Sequence, residues 1–389
     1  MMNAADFEKV SWSQRLRPIF TGFDIPLLLI VLGMSILGML TMYSVGFDHG
    51  TRFVDHGRNM LLAGLVLFLI AQVPPKKLIG LAIPLYVLGI ILLIATDLFG
   101  VTKKGATRWL DLGIVVQPSE ILKIATPLML AWWFQHREGQ LRMLDFCAAG
   151  LLLALPVGMI MKQPDLGTSL LVLFGGLYII FFAGLSWRLI IPLVVVTAVG
   201  IGTLLLTGDQ LCQPNVSWLP ILLDYQKNRV CTLLDPTTDP LGKGFHIIQG
   251  MIAIGSGGLD GKGFMKGTQT HLEFIPERTT DFIFASYSEE FGFLGCIGLL
   301  LGLTALIIRG LMIAGQAPSV FSRLLAGAIT MGFFTYSFVN MGMVSGILPV
   351  VGVPLPFVSY GGTAMVTMGL GLGMLMSIAK SQRVTSNEM

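Results

Sequence analysis

Along this chain apolar residues fall in long unbroken blocks divided by short polar stretches, not in the alternating or amphipathic patterns of a soluble core. Ten blocks, at 24–45, 59–74, 78–97, 119–136, 144–161, 166–185, 189–207, 283–308, 324–345 and 360–379, approach the roughly 20 residues a helix needs to cross a hydrocarbon layer. Only helices and closed barrels satisfy their backbone in lipid, and a stretch such as Leu27 to Leu40 lacks the alternation of a barrel strand. The pattern predicts an all-α polytopic membrane protein with about ten transmembrane helices. An even number of crossings puts both termini on one side.

One polar connection is far longer than the rest. The segment 208–282 holds eight acidic and six basic residues, and it greatly exceeds the about 12–15 residues beyond which structureless loops are uncommon. It is expected to be an ordered, partly helical functional element, with an amphipathic surface helix over Trp218 to Leu234 and a shorter apolar helix from Phe245 to Ile254, ended by Gly255. The organisation that follows is a tail at 1–23, spans one to seven at 24–207, the large loop at 208–282, spans eight to ten at 283–379, and a tail at 380–389.

Composition narrows the class. Of 389 residues, 54% are hydrophobic and 12% charged, about half the charge of a soluble domain. Ordinary globular, disordered and nucleic-acid-binding proteins are thereby excluded. Lys9, Arg15, Arg17, Lys76, Lys77, Arg137, Arg142, Arg188, Arg309, Arg323, Lys380 and Arg383 give the side of the termini 12 basic residues, against 6 in the short loops opposite, Arg52, Arg58, Lys103, Lys104, Arg108 and Lys162. Basic loops stay inside, so the chain reads as a multi-pass protein of the cell inner membrane with both termini cytoplasmic and the large loop periplasmic. No small-residue cleavage site follows Leu40, and the first span is expected to stay uncleaved. Cys147 and Cys296 lie in spans, whereas Cys212 and Cys231 share the loop on the oxidising side, where a disulfide between them is permitted.

Candidate chemistry sits at the membrane edges. The histidines His49, His56, His136, His246 and His271 form no HExxH pair, and neither CxxC nor GxSxG occurs. The run Gly255 to Gly263 fails as a P-loop, at Ser256 and at Gly263, and reads as a backbone turn or a nest of amides for a diphosphate. Asp281, directly before Phe282, Ile283 and Phe284, is either the N-cap of the next helix or a proton acceptor partly withdrawn from water. Glu120 and Lys123, three apart on one helix face, form a structural ion pair or act directly. Asp165 caps the helix that follows it or helps hold a cation, and of the adjacent Glu289 and Glu290 at most one lines a cavity. Arg108 and Trp109 suit a lipid phosphate and the headgroup zone, or a solvated loop with an aromatic anchor. Pro354 to Gly362, around Ser359, is a broken segment tolerated only when packed in protein or lining a cavity.

The strings KGATRWLDLGIVVQPSEILK at 104–123, KQPDLGTS at 162–169, DPLGKGFHIIQGMIAIGSGGLDGKG at 239–263, FIPERTTDFIFA at 274–285 and GILPVVGVPLPFVSYGG at 346–362 resemble the SEDS (shape, elongation, division, sporulation) family of cell-wall proteins. The likeness runs through nearly the whole chain and is greater to elongation than to division members. It implies a glycosyltransferase that polymerises lipid II, the undecaprenyl-diphosphate-linked disaccharide-pentapeptide, into β-1,4 glycan strands for cell elongation and rod shape. It implies a catalytic Asp281, diphosphate contacts from Arg108, Trp109, Lys123 and Arg278, and support from Glu120, Asp165 and Ser359. The partners implied are lipid II and the growing glycan strand, membrane lipids, and a class B penicillin-binding protein as transpeptidase. No ligand cluster identifies a cofactor, although a divalent cation, magnesium or manganese, would assist diphosphate departure. Thr280 stands where the family often has His, and Cys212 to Trp218 is an apparent insertion. A lipid II flippase or transporter and a non-catalytic scaffold for the transpeptidase are the other readings. The crowding of charged motifs at the edge that bears the large loop favours the enzyme.

Overall fold

The fold comes from a computed structural model, which describes residues 23–47, 50–103, 106–111, 115–139, 141–212, 224–238, 242–275 and 277–388. Seven long helices come first, α1 (Ile25–Val45), α2 (Arg52–Ala71), α3 (Pro75–Phe99), α4 (Pro118–Gln135), α5 (Met143–Lys162), α6 (Leu166–Phe182) and α7 (Trp187–Leu211). The large loop carries α8 (Asp224–Leu234), α9 (Lys243–Ser256) and the single turn α10 (Thr268–His271), and the chain ends in α11 (Ile283–Gly315), α12 (Val320–Val344) and α13 (Gly362–Glu388). Side chains start several of them. Asp24 accepts from the Leu27 amide at 3.0 Å, Asp165 from Thr168 at 3.2 Å and Ser319 from Ser322 at 3.2 Å, each satisfying an amide that has no partner inside its helix.

All ten expected blocks are helices, and the chain is a multi-pass membrane protein. Among the described residues eight helices are individually long and apolar enough to cross a bilayer. The other two expected spans are α6, with 17 residues, and α4, which carries Glu120 and Lys123. They pack on each other and on α3, α5 and α12, so protein shields the polar groups of α4. α12 and α13 are mostly buried, with α11 along the first and α2 along the second. α7 is the opposite case, with no buried residue from Trp187 to Thr207.

Contacts at the two ends of the bundle agree with alternating crossings. At one end Asp24 receives Arg309 at 2.5 Å and Arg383 at 3.4 Å, and Lys380 reaches Gln72 at 2.8 Å. At the other lie the turn before α2, the 163–165 turn, the approach to α11 and the 346–361 segment. A small antiparallel sheet that the hydropathy pattern did not announce also sits there, in the order β1 (Val101–Lys103), β2 (Ala106–Asp111), β3 (Val115–Val116). Its pairs include Val101 with Trp109 and Leu110 with Val116.

In the large loop, Cys212 and Cys231 are disulfide-bonded with Cα atoms 5.6 Å apart, tying α8 to the end of α7. The expected amphipathic helix is present over Asp224–Leu234, and its first part, at 218–223, lies outside the described residues. Of the two readings of the glycine-rich stretch, the backbone turn is present and the diphosphate nest is not free to form. α11 breaks at Gly292, whose φ of 64° and ψ of −164° are open to glycine and strained for other residues. The Glu289 and Glu290 carbonyls, deprived of their helical donors, accept from the Lys262 and Gly263 amides at 2.9 and 3.0 Å. The Phe293 and Leu294 amides donate instead to Gly258 and Leu259 at 2.9 and 3.1 Å. The turn is thus spliced into the helix, and the Lys262 and Gly263 amides that a diphosphate nest would need are already used. Glu289 and Glu290 diverge as their adjacency requires. Glu289 accepts from Lys262 Nζ at 2.6 Å and the Gln269 and Thr270 amides, and Glu290 accepts from Ser44 Oγ of α1 at 2.5 Å.

Candidate active site

Asp281 is half-buried at the bundle end, one residue before the cap of α11. That cap is Phe282, so Asp281 stands one position ahead of the N-cap. Main-chain fixtures hold its position. Asn340 of α12, fully buried, donates its amide hydrogens to the Asp281 carbonyl at 3.0 Å and the Val353 carbonyl at 2.7 Å. Ser359 Oγ donates to the Thr280 carbonyl at 2.6 Å while accepting from the Leu355 amide at 2.8 Å, and the Tyr360 amide donates to Thr279 at 2.8 Å. The broken 350–360 segment therefore clamps the three residues that end in Asp281. The carboxylate looks toward Gly352, where a Cβ would stand 3.3 Å from Oδ2.

A second cluster lies across the same segment. Arg108 of β2 bonds the Gln163 carbonyl at 3.3 Å and the Pro164 carbonyl, and its guanidinium is 3.7 Å from Asp165. Gln117 donates to the other Asp165 oxygen at 2.9 Å. Gly167, just inside α6, leaves so little room that a Cβ would come within 2.7 Å of the Val351 carbonyl. Asp165 and Asp281 therefore flank one strip of backbone, 351–353. Trp109, half-buried on β2, sits next to Arg108 in the sheet.

The third group is deeper. Lys123 Nζ is 2.6 Å from Glu120 Oε1 and 5.5 Å from the centre of the Tyr336 ring, and Thr367 Oγ1 of α13 donates to Glu120 Oε2 at 3.3 Å. This pair joins α4, α12 and α13 beside a cavity of about 60 Å³. Arg278 reaches the Val45 carbonyl at 3.4 Å, Glu273 at 3.6 Å and the face of Phe47. The sequence-derived site residues thus fall into a carboxylate with its clamp, an arginine-aspartate pair beside it, and an internal ion pair.

The sequence profile of the FtsW/RodA/SpoVE family of cell cycle proteins matches residues 23–384. The chain belongs to this family. The peptidoglycan glycosyltransferase MrdB of Escherichia coli (strain K12) is 48% identical over 366 residues, covering 93% of this chain and 95% of that protein. The peptidoglycan glycosyltransferase RodA of Treponema pallidum is 33% identical, with 92% and 98% covered. Among solved structures, a chain from work on the structural coordination of polymerization and crosslinking by a peptidoglycan synthase complex aligns with a TM-score of 0.76 at 32% identity, covering 93% of this chain and 99% of that one. The rod shape determining protein RodA of Thermus thermophilus aligns with a TM-score of 0.68 at 28% identity, with 93% and 98% covered.

Within this FtsW/RodA/SpoVE chain, three residues that the sequence reading passed over join the site. Arg52 donates to Thr279 Oγ1 at 3.2 Å and lies 4.7 Å from the centre of the Tyr360 ring. Arg229 of α8 donates to the Val350 carbonyl at 2.8 Å. Asn340 is the third. Arg52 had counted only toward topology and Arg229 only as the polar face of a surface helix. The one signal for Asn340 was a lone amide in an otherwise apolar run. Arg52 thus meets Thr279, two residues before Asp281, Arg108 meets the 163–165 turn and Arg229 the 350–360 segment that clamps Asp281, which puts cations suited to phosphate on the segments that hold the carboxylate.

Proposed function

We propose that this chain is a peptidoglycan glycosyltransferase that polymerises lipid II at the bundle end holding Asp281. The observation that carries the reading is a half-buried carboxylate whose main chain is clamped by Asn340 and Ser359, with Arg52 bonded to the side chain of Thr279, two residues before it, and Arg229 to the Val350 carbonyl of the clamping segment. Diphosphate is a good leaving group, so the reaction needs a base for the incoming hydroxyl and cations for the departing charge, but no strong general acid. Asp281 takes the proton from the GlcNAc 4-hydroxyl of the acceptor. That oxygen attacks the anomeric carbon of the donor MurNAc as the bond to diphosphate breaks, inverting the carbon to a β-1,4 linkage and releasing undecaprenyl diphosphate with both bonding electrons.

Arg108 and Arg52 are placed to meet the phosphates, with Arg278 and Trp109 farther along the same face; Lys123 acts through its pairing with Glu120, and Asp165 and Ser359 act as supports. A magnesium or manganese ion arriving with the substrate would add charge neutralisation, although among the described residues no group of three or more metal-binding side chains would hold it. The excess of basic residues in the loops at the opposite end supports an orientation with both termini cytoplasmic and Asp281 facing the periplasm. The likeness to a chain from a peptidoglycan synthase complex supports a class B penicillin-binding protein as partner.

The test is polymerisation of labelled lipid II by the purified protein with its transpeptidase partner. Asp281→Ala and Asp281→Asn are expected to retain folding and complex formation while losing polymer by a factor of about 100 or more. Full activity in well-folded Asp281→Ala defeats the proposal. Lipid scrambling in vesicles without polymer replaces it with a transporter.

A further inference from the structure

The 346–361 segment that clamps Asp281 is secured at several points along its length. Gly346 lies against α9, where a Cβ would stand 3.1 Å from the Met251 sulfur. Farther on, the Val353 carbonyl accepts from Asn340 and the Leu355 amide donates to Ser359. Between these fixtures the Val350 carbonyl accepts from the Arg229 guanidinium at 2.8 Å. Val350 is two residues from Gly352, which the Asp281 carboxylate faces, so their Cα atoms are no more than about 7.6 Å apart. A shift at Val350 is therefore passed to the wall of the carboxylate.

Arg229 reaches this strip from the large loop. Its helix, α8, has 11 residues, too few to hold their shape alone in water. Neighbours must fix it. The Cys212–Cys231 disulfide joins it to the end of α7, and Leu234 packs there so closely that a Cβ at Gly208 would fall 2.6 Å from its side chain. Cys231 and Arg229 are two residues apart, so at about 100° per residue their side chains leave the helix on nearly opposite sides. One flank of α8 is bonded to α7 while the other reaches Val350. The covalent bond thus sets the rotation of α8 about its own axis, and that rotation sets where the guanidinium lies.

We propose that Arg229 is a positioning residue for the reaction, acting on Asp281 through the Val350 strip, and that the Cys212–Cys231 bond keeps it in place, so that the rate follows the oxidation state of this pair. The inference rests on the glycosyltransferase reading and adds a redox-sensitive support to it. Opening the bond takes two electrons and two protons from a dithiol, which leaves as its own disulfide, and puts one thiol on α7 and one on α8. Both cysteines are half-buried, within reach of an attacking thiolate. With the bond open α8 turns, and the Val350 carbonyl loses its charged donor.

The experiment uses the whole chain and its transpeptidase partner in nanodiscs, with labelled lipid II as substrate and dithiothreitol as the dithiol. Reduction of the parent is expected to lower kcat about tenfold, as displacement of a reacting group does, with KM within about twofold, and reoxidation restores the rate. Cys212→Ser with Cys231→Ser should be as slow as the reduced parent and indifferent to dithiothreitol, which separates this bond from Cys147, Cys296 and any cysteines of the partner. Arg229→Met should be slow in both redox states, because the bond acts through the guanidinium. Arg229→Lys, which keeps a cationic donor, should recover part of the rate only while the bond is closed. Full kcat in a parent whose Cys212 and Cys231 are shown to be thiols overturns the proposal. So do losses from Arg229→Met and from the two serines that multiply when combined, since groups that act in series do not add. A raised KM at unchanged kcat makes Arg229 a substrate contact and overturns the positioning role. Hydrogen exchange needs no substrate and should quicken in α8 and in 346–361 on reduction. If it does so while the oxidised parent makes no polymer, the glycosyltransferase reading falls and the brace on the 346–361 segment stands.

Discussion

Two hydrogens on one amide hold the candidate base in register. Asn340 bridges the carbonyls of Asp281 and Val353, which belong to segments that meet only in the fold. Replacing it by Leu leaves two carbonyls short of a donor, at about 1–3 kcal/mol each, and lets the carboxylate drift from the acceptor hydroxyl. Asn340→Leu is expected to lower kcat at least tenfold with KM within about twofold, since misplacement of a reacting group falls on the transition state. Asn340→Asp, which keeps the shape and only one donor when protonated, should recover part of that rate as pH falls. A Tm loss with unchanged kcat would make the amide a packing feature only. Asp281 and Arg278 were readable in the sequence because charged residues at the mouth of an apolar block are costly. Asn340 was not, because an uncharged amide within a span is most simply explained by helix packing, and its partners lie far along the chain.

At the scale of elements the lipid does most of the specifying. A backbone that must satisfy itself in hydrocarbon makes helices of every long apolar block, and all ten were legible. The splice at Gly292 was not, because its exchanged hydrogen bonds join backbone atoms of the 258–263 turn and of α11, and backbone atoms leave no mark in side-chain pattern. The backbone turn was legible there, and the phosphate alternative stood beside it because glycines that let a backbone approach another backbone look like glycines that let it approach an anion. Any Cβ at Gly292 would fall 2.2 Å from the Gly261 amide nitrogen, and the residue would also bear the strain of positive φ. Gly292→Ala is therefore expected to cost at least about 2 kcal/mol, seen as a lower Tm and faster hydrogen exchange in both 258–271 and the first turns of α11. Exchange that quickens in one of these segments alone would mean that they are not one unit.

Over the whole molecule, hydropathy cannot distinguish a helix at the centre of the bundle from one that faces lipid on every side. α13 and α7 were read alike, yet the first is mostly buried and the second has nothing buried from Trp187 to Thr207. α7 is joined to the large loop at its far end, where Leu234 lies against Gly208 and Cys231 is bonded to Cys212. By contrast the opposite end of the bundle is bound by Asp24, which draws Arg309 from α11 and Arg383 from α13 to the start of α1. These two fastenings should fail differently. Opening the disulfide by Cys212→Ser with Cys231→Ser releases a 19-residue closure, worth roughly 3 kcal/mol by loop entropy, but only in a part that the bundle does not lean on. Hydrogen exchange should rise in α8 and the last turns of α7 and stay at parent values in α11 to α13, with the main melting transition moved little. Asp24→Ala leaves two arginines at the meeting point of three helices without their carboxylate, a loss on the order of 3 kcal/mol for a partly buried pair. The main transition itself should then fall by several degrees, with α1, α11 and α13 exchanging faster together. If instead the disulfide variant brings down the main transition, α7 is packed on the bundle in the membrane, and its isolation is not a property of the working protein.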